Sequence, residues 1–490
     1  MSSAKNAQVV SFRTLRRALA TVLLMGPLLV ACGDDGGSFE AGPGAEPRAG
    51  RWKTWVLSSP TEVEVPPPPE GERARAEEDE VRRLSAAVQP EDRADAEKWS
   101  QIPATRPWLD FNIELVAAGV KDPPLASRGY SLTSIAMYDA LVAAYHWKYE
   151  YERRSPATAQ PLVPAAPDPS YPSEHAVIAG AASRVLTYLF PERAAGLFDT
   201  MAEEAAESRV QAGANYRSDV DAGLALGRAV ADKVLARART DGSDRHWDGS
   251  RPPGIGRGPE FWEPPPGSVT PPTQPLAGTW KTWVLTSGSQ FRPPKPAAIV
   301  YGSPEHLAEL REVMDVRARI TPEQERIARF WVGGQGSSLP PGLWNQVALV
   351  FLANAKDSPP RAARALAALN VAEHDAAVAV WDSKFAYWSP RPINAIRDLG
   401  LESNWRPLLS TPTFPGFVSG HSGYSAAAAD VLSYFFPSER PTLEAKADEA
   451  ALSRLYAGIH PRADNEYGAE LGHDVGRAVV ERIKRDGADL

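Results

Sequence analysis

The 490-residue sequence predicts an all-α protein built as two tandem, related helical bundles. Three observations predict it. Apolar residues recur at three- and four-residue spacing through Ala176 to Phe190, Ala222 to Arg239, Pro360 to Trp381, Gly423 to Phe436 and Glu466 to Arg485, whereas strand-like alternation is scarce. Pro- and Gly-rich stretches separate these helical blocks and collect many of the 46 prolines. Landmarks of the first block also return in order in the second. Trp52-Lys53-Thr54-Trp55-Val56-Leu57 recurs as Trp280 to Leu285; Trp108, Asp139 and Lys148 recur as Trp344, Asp375 and Lys384; Ser208-Arg209, Gly213 and Asp219 recur as Ser453-Arg454, Gly458 and Asp464.

Composition bounds the function. Hydrophobic residues are 43% and charged residues 23%, as in soluble globular proteins, which excludes a fully disordered chain, a collagen and a multi-span membrane protein. No apolar run is long enough to span a bilayer. A formal charge of −8 gives no ground for nucleic-acid binding. The single cysteine rules out an intramolecular disulfide and any multi-cysteine metal site.

Along the chain, residues 1–31 read as an export signal: Lys5, Arg13, Arg16 and Arg17 precede an apolar run from Ala18 to Ala31, with no acid before Asp34. The run ends at Leu29-Val30-Ala31-Cys32, which resembles a bacterial lipobox, so lipidation of Cys32 and anchoring to a membrane are expected. Gly33, in place of the aspartate associated with inner-membrane retention, favours the outer membrane, with the protein facing the periplasm or exterior. Residues 32–100 read as a Pro-rich and charged tether, with a solvated helix over Glu70 to Arg83. The N-terminal bundle is expected over 101–245, a Pro/Gly-rich linker over 246–305 and the C-terminal bundle over 306–490.

The two copies differ in their polar residues. The second carries Lys384, then Arg391-Pro392, then Ser419-Gly420-His421, then Ser453-Arg454 with Gly458, His460 and Asp464. The first has Ser155 opposite Arg391, Glu174 opposite Gly420 and Asn215 opposite His460. Two guanidiniums and an ammonium can balance a doubly or triply charged tetrahedral oxyanion. Gly420 lets a backbone N–H approach such an anion, and the apolar segment after His421 places that N–H at a helix start. Pro461 suits the first position of a further helix, which would bring His460 to the same cavity. A carboxylate at 174 makes the first copy a poor oxyanion binder.

These three ordered blocks resemble the shared signature of the vanadium-dependent haloperoxidases and the type 2 phosphatidic acid phosphatases; Val418 departs from it, where proline usually precedes Ser-Gly-His. The resemblance is strong over 340–490 and extends through the paired-bundle layout to 100–490. It implies vanadate as cofactor, His460 as the vanadium ligand, and Lys384, Arg391, Ser419, Gly420 and Arg454 as binders of the oxyanion oxygens. His421 would be the acid–base for peroxide and Asp464 would orient His460. Trp381 and Phe414 resemble the aromatic pair on the halide side of the fungal-type chloroperoxidases, and Asn370-Val371-Ala372, Asp375 and Arg397-Asp398 resemble that branch too. Hydrogen peroxide and halide would be substrates, with an organic acceptor, and a homodimer is the form common among haloperoxidases.

The same residues also suit an exported acid phosphatase with no cofactor, in which His460 is the nucleophile and His421 protonates the leaving group. A non-catalytic scaffold is the third reading. Asp375, matched by Asp139, reads as a packing residue, and His306, His374 and His473 fall outside the signature. The repeated Trp-Lys-Thr-Trp-Val-Leu reads as a dock for each linker on its bundle.

Overall fold

A computed structural model describes residues 44–489, apart from 121, 158–160, 165, 194 and 265–270. The export signal and Cys32 lie outside the described residues. Among those described there are helices and no strands. The first half holds α1 (Gly71–Ala86), α2 (Pro90–Trp99), α3 (Arg106–Gly119), α4 (Pro123–Tyr151), α5 (Glu174–Leu189), α6 (Leu197–Gln211) and α7 (Arg217–Ala238). The second holds α8 (Pro304–Ala318), α9 (Pro322–Phe330), α10 (Leu339–Ala355), α11 (Pro359–Tyr387), α12 (Pro392–Asp398), α13 (Gly420–Phe435), α14 (Arg440–Tyr456) and α15 (Arg462–Ile483).

The longest helices, α4 and α11, share their punctuation. Each opens on a Pro-Pro pair, whose fixed φ suits a first turn, and each ends on a left-handed residue, Glu152 or Trp388. Both are buried over most of their length and pack against each other, joining the bundles through Asn370, whose Nδ2 donates to Ser134 Oγ at 3.0 Å. Around them the pairs α5/α7 and α13/α15 cross at backbone contact. A Cβ on Gly227 would lie 2.1 Å from the Val177 carbonyl oxygen, and one on Gly472 2.3 Å from that of Gly423, so only glycine permits these crossings.

The Trp-Lys-Thr-Trp-Val-Leu segments dock through a buried carboxylate. Asp139 accepts the backbone N–H groups of Trp55, Val56 and Leu57, and Asp375 those of Trp283, Val284 and Leu285, at 2.7–3.3 Å. Each segment also reaches the other half of the chain. Arg482 of α15 donates to the Thr54 carbonyl and lies over Trp55; Arg237 of α7 donates to the Thr282 carbonyl and lies over Trp283. The segments are thus stitches between bundles.

That corrects the reading of 32–100 and 246–305 as tether and linker, wherever they are described. Trp52, Val65, Trp99, Trp262, Trp280 and Ile299 are buried in them, and the described residues fall in one compact unit. Proline richness sets an extended backbone, but the tryptophans give that backbone apolar anchors worth ~2–3 kcal/mol each when buried. The helix expected at 70–83 is α1, and it is not merely solvated. Glu77 takes Arg153 and the Ser218 hydroxyl, and Val81 is buried.

Candidate active site

Helix ends deliver the signature residues to one place. Lys384 lies in the last turn of α11, Arg391 caps α12, Ser419 caps α13 with Gly420 as its first residue, and Arg454 lies in the last turn of α14. His460 and Asp464 straddle the start of α15, where Pro461 stands at the N-cap, one position before the place expected. Lys384, Arg391, Ser419, Arg454, His460 and Asp464 are all at most 3% exposed; His421 is partly open to solvent.

Hydrogen-bond chemistry assigns the histidine tautomers. His460 Nδ1 lies 2.7 Å from Asp464 Oδ2, and its Nε2 lies 2.8 Å from Arg391 Nη1. A guanidinium only donates, so Nε2 carries the lone pair and Nδ1 the proton. His421 Nε2 lies 2.7 Å from the Trp331 carbonyl oxygen, which only accepts, so there Nε2 carries the proton. Burial and the Arg391 charge hold His460 well below the usual histidine range, and burial and Arg454 do the same to His421, so both rings are neutral.

The cations outnumber the anions. Burial brings Arg391 down to about 10 and Arg454 to about 9, and burial with the nearby Arg391 charge pulls Lys384 well down. Asp464 is the one carboxylate in this set; burial pushes it up to about 7 although Lys384 and Arg391 pull it down. A dry pocket that concentrates three cations costs several kcal/mol per unmatched charge, a cost an incoming anion removes. Two donors are ready for it: Arg391 Nη2 and Ser419 Oγ are buried and have no hydrogen-bond partner in the protein. The first-turn N–H groups of α13 at Gly420 and His421 point with them to an anion seat. A tetrahedral oxyanion such as vanadate or phosphate therefore fits these residues, with His460 Nε2, whose lone pair accepts from Arg391 Nη1 at 2.8 Å here, the group that would meet its central atom once that guanidinium turns to the anion.

The other groups frame the seat. Lys384 Nζ donates to the carbonyls of Pro415, Gly416 and Val418 at 3.1, 2.7 and 2.5 Å, so all three of its protons hold the loop that leads into Ser419. Its contribution to an oxyanion is its charge rather than the direct hydrogen bond expected. Phe414 lies beneath Lys384 and Arg391 and 5.1 Å from Trp381, whose ring borders Gly420. The aromatic pair is thus beside the seat. Arg397 bonds the Trp405 carbonyl and Asp375 docks the linker, so neither joins it.

The equivalent pocket in the first bundle supplies its own anion. Lys148 Nζ pairs with Glu174 Oε2 at 2.7 Å, and although burial pushes Glu174 up, Lys148 and His175 hold it well below the usual carboxylate range. Asn215, opposite His460, bonds the Ser170 carbonyl and accepts from Ser173 Oγ, the partner that Ser419 lacks. Arg153, two residues before Ser155, pairs with Asp219 at 2.7 Å. That arginine escaped the sequence comparison because it is out of register with Arg391.

Sequence reasoning also missed the end of α9. Arg454 Nη2 donates to the Ala328 carbonyl at 3.1 Å, and the Trp331 carbonyl takes His421. Backbone acceptors leave no residue signature. Ser389, which bonds the Phe417 N–H through Oγ and the Gly416 N–H through its carbonyl, could have been suspected from Ser389-Pro390 just before Arg391.

Comparison with known families agrees with this geometry. The family model described as the VCPO second helical-bundle domain matches residues 364–445 and 439–487, which contain almost the whole site, and the PAP2 superfamily model matches residues 131–238 in the first bundle. Among solved structures, the first bacterial vanadium-dependent iodoperoxidase superposes with a TM-score of 0.63 at 24% identity, over 78% of this chain and 97% of that one. The fold is that of the vanadium haloperoxidases. A bacterial vanadium-dependent chloroperoxidase shares it, with TM-scores of 0.57 in its apo form and 0.56 in its holo form, both at 15% identity. The apo form covers 76% of this chain and 98% of its own, the holo form 79% and 97%. No curated protein sequence matches. Within this haloperoxidase fold the described residues contain no helix long and apolar enough to cross a membrane.

Proposed function

We propose that this chain is a vanadate-dependent haloperoxidase that oxidises halide with hydrogen peroxide at the oxyanion seat of the second bundle. The observation that carries the reading is the pairing of unpartnered buried donors, Arg391 Nη2 and Ser419 Oγ, with the Nε2 lone pair of His460 in a cation-rich pocket. Bound vanadate would supply Lewis-acid activation of peroxide with no change of metal oxidation state. The chain's residues do the rest. His460 would offer Nε2 to vanadium while Asp464 keeps its proton on Nδ1. Arg391, Arg454, Ser419 Oγ and the Gly420 amide would hold the oxygens, and Lys384 would add charge while it fixes the loop. His421, protonated at Nε2, keeps Nδ1 as the base that takes a proton from peroxide and returns it. Trp381, whose indole N–H is spent on the Thr273 carbonyl at 3.1 Å, and Phe414 would form a wall with no free hydrogen-bond donor on the halide side.

The same Nε2 lone pair favours a second reading, a phosphatase in which His460 attacks phosphorus and His421 protonates the leaving oxygen. The two are separated by assaying bromide- and chloride-dependent halogenation of monochlorodimedone with vanadate and peroxide, beside p-nitrophenyl phosphate hydrolysis without vanadate. Bromination supports the first reading; phosphate release with no halogenation replaces it with the second. We further propose export with lipidation at Cys32 and outer-membrane anchoring, supported by the lipobox-like sequence; Cys32→Ser should abolish incorporation of labelled fatty acid. The paired docking carboxylates and stitches favour an internal duplication as the origin of the two bundles. A homodimer is proposed by analogy with the haloperoxidases, to be tested by sedimentation.

A further inference from the structure

We propose that Glu449 is a positioning residue for His421: through the indole of Trp331 it fixes the backbone carbonyl that holds His421 in its Nε2–H form. Trp331 follows the last turn of α9, is 2% exposed, and bears the carbonyl that accepts from His421 Nε2 at 2.7 Å. Its indole Nε1 donates to Glu449 Oε1 at 2.7 Å, and its ring lies 6.0 Å from Trp344. Glu449 sits on α14, the helix that also carries Arg454, whose Nη2 holds the Ala328 carbonyl. One helix therefore grips the end of α9 at two points, five residues apart, and each grip presents a site residue.

On the chain side that peptide has one further tie, the long bond from the Val332 N–H to the Arg329 carbonyl at 3.4 Å. Val332-Gly333-Gly334 follows, with Gly333 in the left-handed region at φ 49°, so no regular helix continues past the carbonyl. Released from Glu449, the indole would leave the Trp331 peptide held on the chain side by that 3.4 Å bond, and His421 would lose its 2.7 Å acceptor and keep only the neighbouring Val332 backbone. The proton would then distribute between Nδ1 and Nε2, and the ring would offer its Nδ1 lone pair only part of the time. The tautomer claim stands on geometry alone; what the Nδ1 lone pair is used for rests on the function proposed above.

The test uses the full-length chain without vanadate, labelled with nitrogen-15 at histidine, with the His421 signals assigned through His421→Asn. The wild type should show Nε2–H. Glu449→Ala and Trp331→Phe, which removes the indole donor but keeps the carbonyl, should each show a mixed or Nδ1–H state. Glu449→Gln, whose amide oxygen still accepts, should retain Nε2–H. In the vanadate-loaded enzyme, Glu449→Ala should lower kcat/KM for peroxide about tenfold while vanadate Kd stays within about twofold, as expected when the partner of a reacting group rather than the anion seat is disturbed. An unchanged tautomer in both Glu449→Ala and Trp331→Phe overturns the proposal. So does a Glu449→Gln variant as impaired as Glu449→Ala, or a vanadate affinity that falls in step with rate, since either marks a packing role. If the chain does not halogenate at all, the tautomer measurement still decides this inference while the proposed function alone fails.

Discussion

Glu174→Gly should convert the first-bundle pocket from self-neutralised to anion-seeking. The carboxylate removed is 6% exposed and lies 2.7 Å from a Lys148 that has no exposure. Removing one partner of a buried ion pair strands the other charge and costs about 3–5 kcal/mol. A glycine in the first turn of α5 adds at most about 1 kcal/mol more. An oxyanion entering the vacated place should return part of that loss, about 2.7 kcal/mol at a hundred times its Kd. The assay is urea unfolding of wild type and variant, with and without phosphate, at constant ionic strength. Phosphate should stabilise the variant more than the wild type, because the variant gains a second seat. A variant that unfolds at the wild-type midpoint without phosphate, or gains no more from phosphate than the wild type, would refute the claim that Glu174 is the pocket's own anion.

Three further outcomes follow from the same contacts. Asp375→Asn must turn an amide NH2 toward at least one of the N–H groups of Trp283, Val284 and Leu285, so it should cost about 2–3 kcal/mol and hasten proteolysis within 246–305. His374 is depressed to about 4, chiefly by burial, so the unfolded chain takes up its proton first as pH falls through 6.5. That term is absent above pH 6.5 and grows to about 3 kcal/mol of lost stability near pH 4; His374→Gln should flatten this acid limb of the stability profile. His460→Ala should lower turnover about 100-fold or more, whereas His175→Ala in the first bundle should leave it within about twofold.

Much of the fold was legible because helical periodicity is local and the two copies check each other. Asp139 and Asp375 stood at matching places, and the structure gives both the same three amide partners. The site was legible where it depends on side-chain type: Lys384, Arg391, Ser419, Gly420, His421, Arg454, His460 and Asp464 converge as the motif order implied. Three things were not. Trp52, Trp262 and Trp280 turn proline-rich segments into straps, and their burial depends on distant helices. The carbonyls of Ala328 and Trp331 carry no residue identity. Arg153 meets Asp219 by a two-residue shift that aligned comparison passes over.

The central claim is that the second bundle, and not the first, holds a seat for vanadate. Titrating the metal-free full-length chain with orthovanadate, followed by bound vanadium per chain and by halogenation in peroxide and bromide, tests it most directly. The account predicts one vanadium per chain, halogenation that rises with occupancy, and loss of both in Arg391→Ala and His460→Ala. Vanadium binding that survives His460→Ala and Arg391→Ala but vanishes in Lys148→Ala would place the seat in the other bundle and contradict it.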